Sequence, residues 1–293
     1  MIVGYLFAAL TAILFVTLEP VSKLISGDIN PLAITFIRFF ISGVIILPIG
    51  LIQLRKKGQK LPPMTVFLMA LLGTAMICCS MVPLQYSVKL AESPALISVL
   101  FSANSVTTIL LSALILKNRL TPAKCLAMVL CALGILVCVD FRSGSNLFSV
   151  FLALIAGLSF SLYTVLAKKL FPSYSGTVQA GIGFFCGSLV LFVILLCCNI
   201  PVFSGIHMDV VPHLLYLGIF VTGIGYLSYF KAMGKGGPFA AALTFFIKPV
   251  LTPFAALLIN GILPSAEIFI AIVLIVSGSV LNAWSEKHRR AFL

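Results

Sequence analysis

Hydrophobic residues in this chain come in long unbroken stretches, not in the alternating or three-and-four spacing of a half-wetted strand or helix. Ten such runs, bounded by charge, Pro, Gly or Asn, lie at approximately 2–22, 32–53, 64–84, 93–116, 123–140, 147–167, 177–198, 211–230, 238–260 and 265–284. A bilayer core about 30 Å thick takes about 20 apolar residues in a helix, so each run predicts one spanning helix. The links between runs are too short to fold as domains. The first run lacks a basic leading region and a convincing small-residue cleavage site, and is expected to be a retained helix, not a signal peptide.

Composition sharpens this. Of 293 residues 61% are hydrophobic and 9% charged, against about 45–50% and about 25% in soluble domains. Such a chain faces lipid over most of its exterior, which excludes a soluble globular protein, a disordered segment, a collagen and a nucleic-acid-binding module. The formal charge of +12 then reports orientation, because Lys and Arg concentrate in cytoplasmic links. With the N-terminus inside, the cytoplasmic segments hold Arg55, Lys56, Lys57, Lys60, Lys117, Arg119, Lys124, Lys168, Lys169, Lys231, Lys235, Lys287, Arg289 and Arg290. The outer links hold only Lys23, Lys89 and Arg142. We therefore expect a multi-pass protein of the plasma membrane with both termini cytoplasmic, membrane lipids and a small-molecule substrate as partners, and no nucleic acid.

The cysteines (Cys78, Cys79, Cys125, Cys131, Cys138, Cys186, Cys197, Cys198) fall in or beside apolar runs without metal-ligand spacing. They read as small buried hydrophobes, with no metal site, disulfide framework or cofactor expected. His207, His213 and His288 sit in a loop, at a helix start and in the tail, where solvated roles are expected.

The chain repeats itself weakly. Phe15 and Lys23 match Phe160 and Lys168, and Phe39-Phe40 matches Phe184-Phe185, at a shift of 145; Pro94 and Gly134 match Pro238 and Gly278 at 144, and Tyr86 matches Tyr229 at 143. The near-constant shift across helix pairs carries the weight. Each half has five runs, an odd number, so the second half enters the membrane from the opposite side. The expected fold is an all-α integral membrane protein of ten transmembrane helices in two inverted five-helix repeats, 1–142 and 143–293. Inverted repeats are a common construction of secondary transporters, because exchanging the halves' conformations alternates access.

This architecture resembles the drug/metabolite transporter superfamily and, within it, the EamA family. So do Arg38-Phe39-Phe40 early in the second run, a Tyr before the Pro that opens the fourth and ninth runs, and a Gly in the last run of each half. The resemblance covers essentially the whole chain and implies a transporter, with export as the direction. Family members often carry a Glu near the ends of the fourth and ninth helices, where this chain reads Leu116-Lys117-Asn118 and Asn260-Gly261-Ile262, and a Glu where it has Lys248 before Pro249.

A charge at the bilayer centre costs about 2.5–3.5 kcal/mol on insertion scales, so each needs a reason. Lys248 lies near the middle of the ninth run, and Asn104 is its repeat mate in the fourth. Together they are candidate substrate ligands near the shared axis, with a lysine paired to a carboxylate as the structural alternative. Glu19 is the one acid well inside a run. It either pairs with Lys23 four residues on or titrates as the coupling carboxylate. Arg38 could receive a substrate carboxylate through its planar fork or cap Glu19 or Asp28. Tyr86 and Tyr229 are candidate cavity residues, as are Gln85, Tyr163 and Tyr226; tyrosines at helix ends also serve as interface belts. Gly183 and Gly187 form a GxxxG, most simply a close helix contact.

The expected function is secondary active transport of small polar metabolites such as amino acids or organic acids, by alternating access and coupled to protons. No P-loop is present to supply energy from ATP, and signatures such as GxGD, HExxH and GxSxG are absent, so no enzyme is expected. Asp28, Asp140 and Asp209 all fall in outer-face segments. The alternatives are a proton-coupled exporter of lipophilic or quaternary ammonium cations, and a scaffold or lipid scramblase without solute flux. A chain holding both halves of the cavity is expected to act as a monomer.

Overall fold

A computed structural model describes residues 2–117, 121–138 and 144–291. Asn118, Arg119, Asp140 and Arg142 lie outside the described residues, as do the side chains of Cys138, Pro238, Lys287, His288, Arg289 and Arg290. Among the described residues the fold is helical and contains no strand. α1 (Ile2–Val16) and α2 (Leu18–Ile25) are followed by α3 (Pro31–Lys56), α4 (Pro63–Met76), α5 (Val82–Leu90), α6 (Pro94–Ser102) and α7 (Asn104–Ile115). Then come α8 (Pro122–Cys138), α9 (Gly144–Leu170), α10 (Gly176–Cys197), α11 (Val211–Leu215), α12 (Gly225–Asn260) and α13 (Ala266–Ala291). Two π-helical segments, Ile77–Met81 and Tyr216–Ile224, join α4 to α5 and α11 to α12.

Over the described residues each apolar run is mostly helix. Eight helical segments are long and apolar enough to cross a bilayer, and two further apolar helices, Pro122–Val137 and Ala266–Leu281, are shorter. The protein is a multi-pass helical membrane protein. Local chemistry sets the ends: the Asn30 carboxamide oxygen accepts from the Leu32 amide at 2.9 Å just before Pro31, the pairing of N-cap and first-turn proline that starts a helix. Gly261, at φ 69°, closes α12 in the left-handed conformation that glycine adopts without strain.

Several spans are jointed. α1 and α2 separate at Thr17, where Pro20 has no N–H to give the carbonyl of Val16. The Thr17 hydroxyl donates to the Leu14 carbonyl at 2.8 Å and meets the Tyr216 hydroxyl at 2.9 Å. α6 and α7 separate at Ala103, and α12 is interrupted at Gly237, whose φ of 78° and ψ of 177° fit no helix.

Small residues bring the helices together. A Cβ on Gly183 would lie 3.0 Å from the Cα of Gly73, so α10 and α4 touch backbone to backbone; the GxxxG of α10 is a packing motif. Along α3 and α10, the repeat mates meet each other: the rings of Phe39 and Phe184 lie 4.8 Å apart edge to face, and Phe40 stacks with Phe185 at 6.1 Å. The outside is apolar, as a lipid-facing surface is, with Leu114, Phe151 and Leu258 exposed. The cysteines correct one expectation. Cys131 is buried, but Cys79, Cys125, Cys197 and Cys198 are exposed on that exterior, where lipid replaces protein as the apolar neighbour.

Candidate functional site

The helix joints converge on one small cavity. Phe15 and Leu18 flank the break at Thr17, Phe101 precedes the break at Ala103, and Met81, Val221 and Thr222 belong to the π-helical segments; all line it. π-helical turns recur at functional sites because they displace side chains that an α-helix would hold in register. Rings supply much of the wall: Phe15, Phe101, Phe160, Phe245 and Tyr226. These are related in the sequence, Phe15 with Phe160 at a shift of 145 and Phe101 with Phe245 at 144. Each half thus gives two phenylalanines from equivalent positions. The cavity measures about 20 Å³, room for about one water.

Two cations reach it, Arg38 and Lys248. Lys248 donates to Glu19 Oε1 at 2.6 Å, with side chains 2% and 0% exposed, respectively. The Lys248 ammonium also sits 5.5 Å from the centre of the Phe101 ring, within cation–π range. Thr252 donates to the Lys248 carbonyl at 2.7 Å. Glu19 Oε2 has no partner among the described residues.

Arg38 is different. It is 2% exposed, and among the described residues no carboxylate pairs with it. Its NH2 points at the Met81 sulfur at 3.6 Å, its guanidinium lies 4.8 Å from the Phe39 ring centre, and Nε has no partner. A buried guanidinium whose one hydrogen bond among the described residues is to a thioether has donor capacity to spare.

The other candidates fall elsewhere. Glu19 pairs across the protein with Lys248 and not with Lys23, whose ammonium instead donates to the carbonyls of Lys89 at 2.9 Å and Ala91 at 2.6 Å. Arg38 caps neither Glu19 nor Asp28. Asn104 is buried but does not line the cavity; its carbonyl accepts from the Ser161 hydroxyl at 2.8 Å and its Nδ2 has no partner among the described residues. Tyr86 is half-buried on α5, away from the lining. Tyr229 stands behind the wall, its ring 5.7 Å from that of Phe245. Tyr226, in contrast, faces the cavity and packs 5.2 Å from Phe15, a ring admitted by the missing side chain of Gly225. The sequence signal that points to the wall is the repeat itself, because Phe101 and Phe245 are mates.

The profile of the EamA-like transporter family matches the chain twice, over residues 2–139 and 147–284. The chain belongs to the EamA family. A relative from Clostridium kluyveri, named an uncharacterized transporter, is 32% identical over 97% of this chain and 94% of its own. An uncharacterized transporter of Archaeoglobus fulgidus is 25% identical over 78% of this chain and 79% of its own. A solved crystal structure shares the fold, with a TM-score of 0.67 over 97% of this chain and 98% of its own at 19% identity. This EamA chain is thus a membrane transporter by family.

Proposed function

We propose that this EamA protein is a proton-coupled secondary transporter of small solutes bearing an anionic group, amino acids or organic acids, working by alternating access. The observation that carries this is a buried Arg38 with no carboxylate ion-paired to it among the described residues, in the same aromatic cavity as Lys248, whose ammonium is paired with Glu19. A lone guanidinium in a membrane interior is costly unless something binds it.

Ten spans in two inverted repeats, 1–142 and 143–293, are supported by several reciprocal contacts. A Cβ on Gly134 would lie 3.2 Å from the Ala271 carbonyl, and one on Gly278 2.7 Å from the Ala127 carbonyl. Both glycines and both alanines are mates at a shift of 144. The double family match is offset by 145, within one residue of that shift. A cavity of about 20 Å³ admits no organic solute as it stands, so the helices must part at their joints to load it. Glu19 is the coupling group: a proton on it releases Lys248, and loss of that proton restores the pair.

Location in the plasma membrane of a prokaryote, cytoplasmic termini, export and a monomeric state complete the reading, supported by the charge asymmetry and the two microbial relatives. An exporter of lipophilic cations fits less well, since Glu19 is already neutralised by Lys248 and a second cation stands nearby.

The test is flux in proteoliposomes. A pH gradient should drive saturable movement of a carboxylate-bearing solute, Glu19→Gln should lose the drive while retaining solute exchange, and Arg38→Gln should lose both. Absence of saturable flux for any solute in a broad panel overturns the proposal in favour of a scaffold or scramblase.

A further inference from the structure

The charges of the cavity narrow the solute class, on the assumption that the transport reading above holds. We infer that the preferred ligand is a monocarboxylate with an apolar or aromatic body and no ammonium group, its carboxylate on Arg38 and its body between the phenylalanines.

The side chains fix the count. Arg38, Lys248 and Glu19 together carry one net positive charge, and the cavity is walled largely by rings and aliphatic groups. In a region of low dielectric an unbalanced charge is expensive and its neutralisation is correspondingly favourable. A monoanion brings the total to zero. A zwitterion leaves it at one positive charge, and its ammonium has only Glu19 to turn to, whose other oxygen is already 2.6 Å from the Lys248 ammonium; a second cation there is repelled by the first. A dianion would need Lys248 as well, and must break the pair to reach it. A lipophilic cation raises the total to two.

The geometry agrees with the count. Arg38 Nε is unpartnered and its NH2 meets only a thioether, so neighbouring N–H groups remain for the two oxygens of one carboxylate in the bidentate arrangement that a guanidinium favours. The polar alternatives are few: the Thr222 hydroxyl is committed to the Leu217 carbonyl at 2.8 Å. A small hydrophilic anion would find beyond Arg38 only the Tyr226 hydroxyl and an ammonium already paired with Glu19, whereas a phenyl or branched alkyl body finds Phe15, Phe101, Phe160 and Phe245.

The experiment compares probes of one skeleton and three charges, 3-phenylpropionate, L-phenylalanine and 3-phenylpropylamine, by calorimetric titration and thermal stabilisation of the purified full-length protein at neutral pH. We expect 3-phenylpropionate to bind at least tenfold more tightly than phenylalanine, and the amine not to stabilise at all. Arg38→Gln should weaken the acid at least tenfold, with Arg38→Lys intermediate because it restores the charge without the fork. Phenylalanine or the amine binding as tightly as the acid, binding of the acid that survives Arg38→Gln in folded protein, or no binding of any probe would each overturn the monocarboxylate assignment. Saturable counterflow of phenylalanine or another solute in that event leaves the transport reading standing; its absence for every solute removes both.

Discussion

The Lys248 ammonium and the Glu19 carboxylate lie 2.6 Å apart with almost no exposed surface, joining α12 to α2 across more than two hundred residues of chain. The pair is stable because each charge is the other's solvent, and neither is stable alone. Removing one partner of a buried pair costs about 3–5 kcal/mol, while replacing both with apolar groups is often neutral. Glu19→Gln and Lys248→Met should each lower the thermal unfolding midpoint in detergent, and the double variant should recover most of the loss. Additive losses in the double variant would mean that the two groups do not depend on each other.

The proposed inversion of the halves makes a prediction at their loops. Lys60 and Ser204 are repeat mates at a shift of 144 and both are exposed. In a cysteine-free background in intact cells, Ser204→Cys should react with a membrane-impermeant thiol reagent, and Lys60→Cys should react only after permeabilisation. Labelling of both from the same side rules the inversion out.

Lys23 ties α2 to the C-terminal end of α5, at the carbonyls of Lys89 and of Ala91 just past it, where a cation also complements the helix dipole. Lys23→Met should loosen this end of the bundle. We expect a reporter Leu84→Cys, on the cavity wall, to react several-fold faster with an external impermeant thiol reagent in the Lys23→Met background. An unchanged rate would show that the tether does not hold the outer end shut.

Glycines at helix contacts separate cleanly from glycines in open space. A Cβ on Gly73 would run into the backbone of Gly183, whereas one on Gly234 meets nothing within 4 Å. Gly73→Ala should destabilise by about 1–3 kcal/mol, the cost of overpacking, and Gly234→Ala should gain about 0.5–1 kcal/mol from its lower chain entropy. Thermal midpoints of the two purified variants decide this.

The helices were legible because membrane spans announce themselves in continuous apolarity, which needs no knowledge of neighbours. Buried charge was legible for the same reason: Glu19, Arg38 and Lys248 are conspicuous inside apolar runs. Pairing was not. Spacing along one helix favours Glu19 with Lys23, but the break before Leu18 and the reach of the Lys23 stem to α5 decide otherwise, and both depend on tertiary geometry. Depth in the membrane placed Asn104 and Lys248 as equals, yet depth says nothing about which face of a helix is turned inward. Tyr86 and Tyr229 matched each other in sequence and both missed the lining. The phenylalanine mates were legible in principle, hidden among 24 phenylalanines until the structure picked out the four that meet.

The phenylalanines of the wall come from equivalent positions, but the ion pair does not. Where α2 and α12 carry Glu19 and Lys248, the mate positions on α9 and α7 carry Thr164 and Asn104, and the Thr164 hydroxyl donates to the Phe160 carbonyl of its own helix at 2.9 Å. A molecule with identical halves would rest equally often facing either side, since swapping the halves would leave its energy unchanged. Here the swap would put uncharged Thr164 and Asn104 where a salt bridge stands. If the protein alternates access as proposed, its two orientations are unequal in energy before any solute arrives, and it has a resting side.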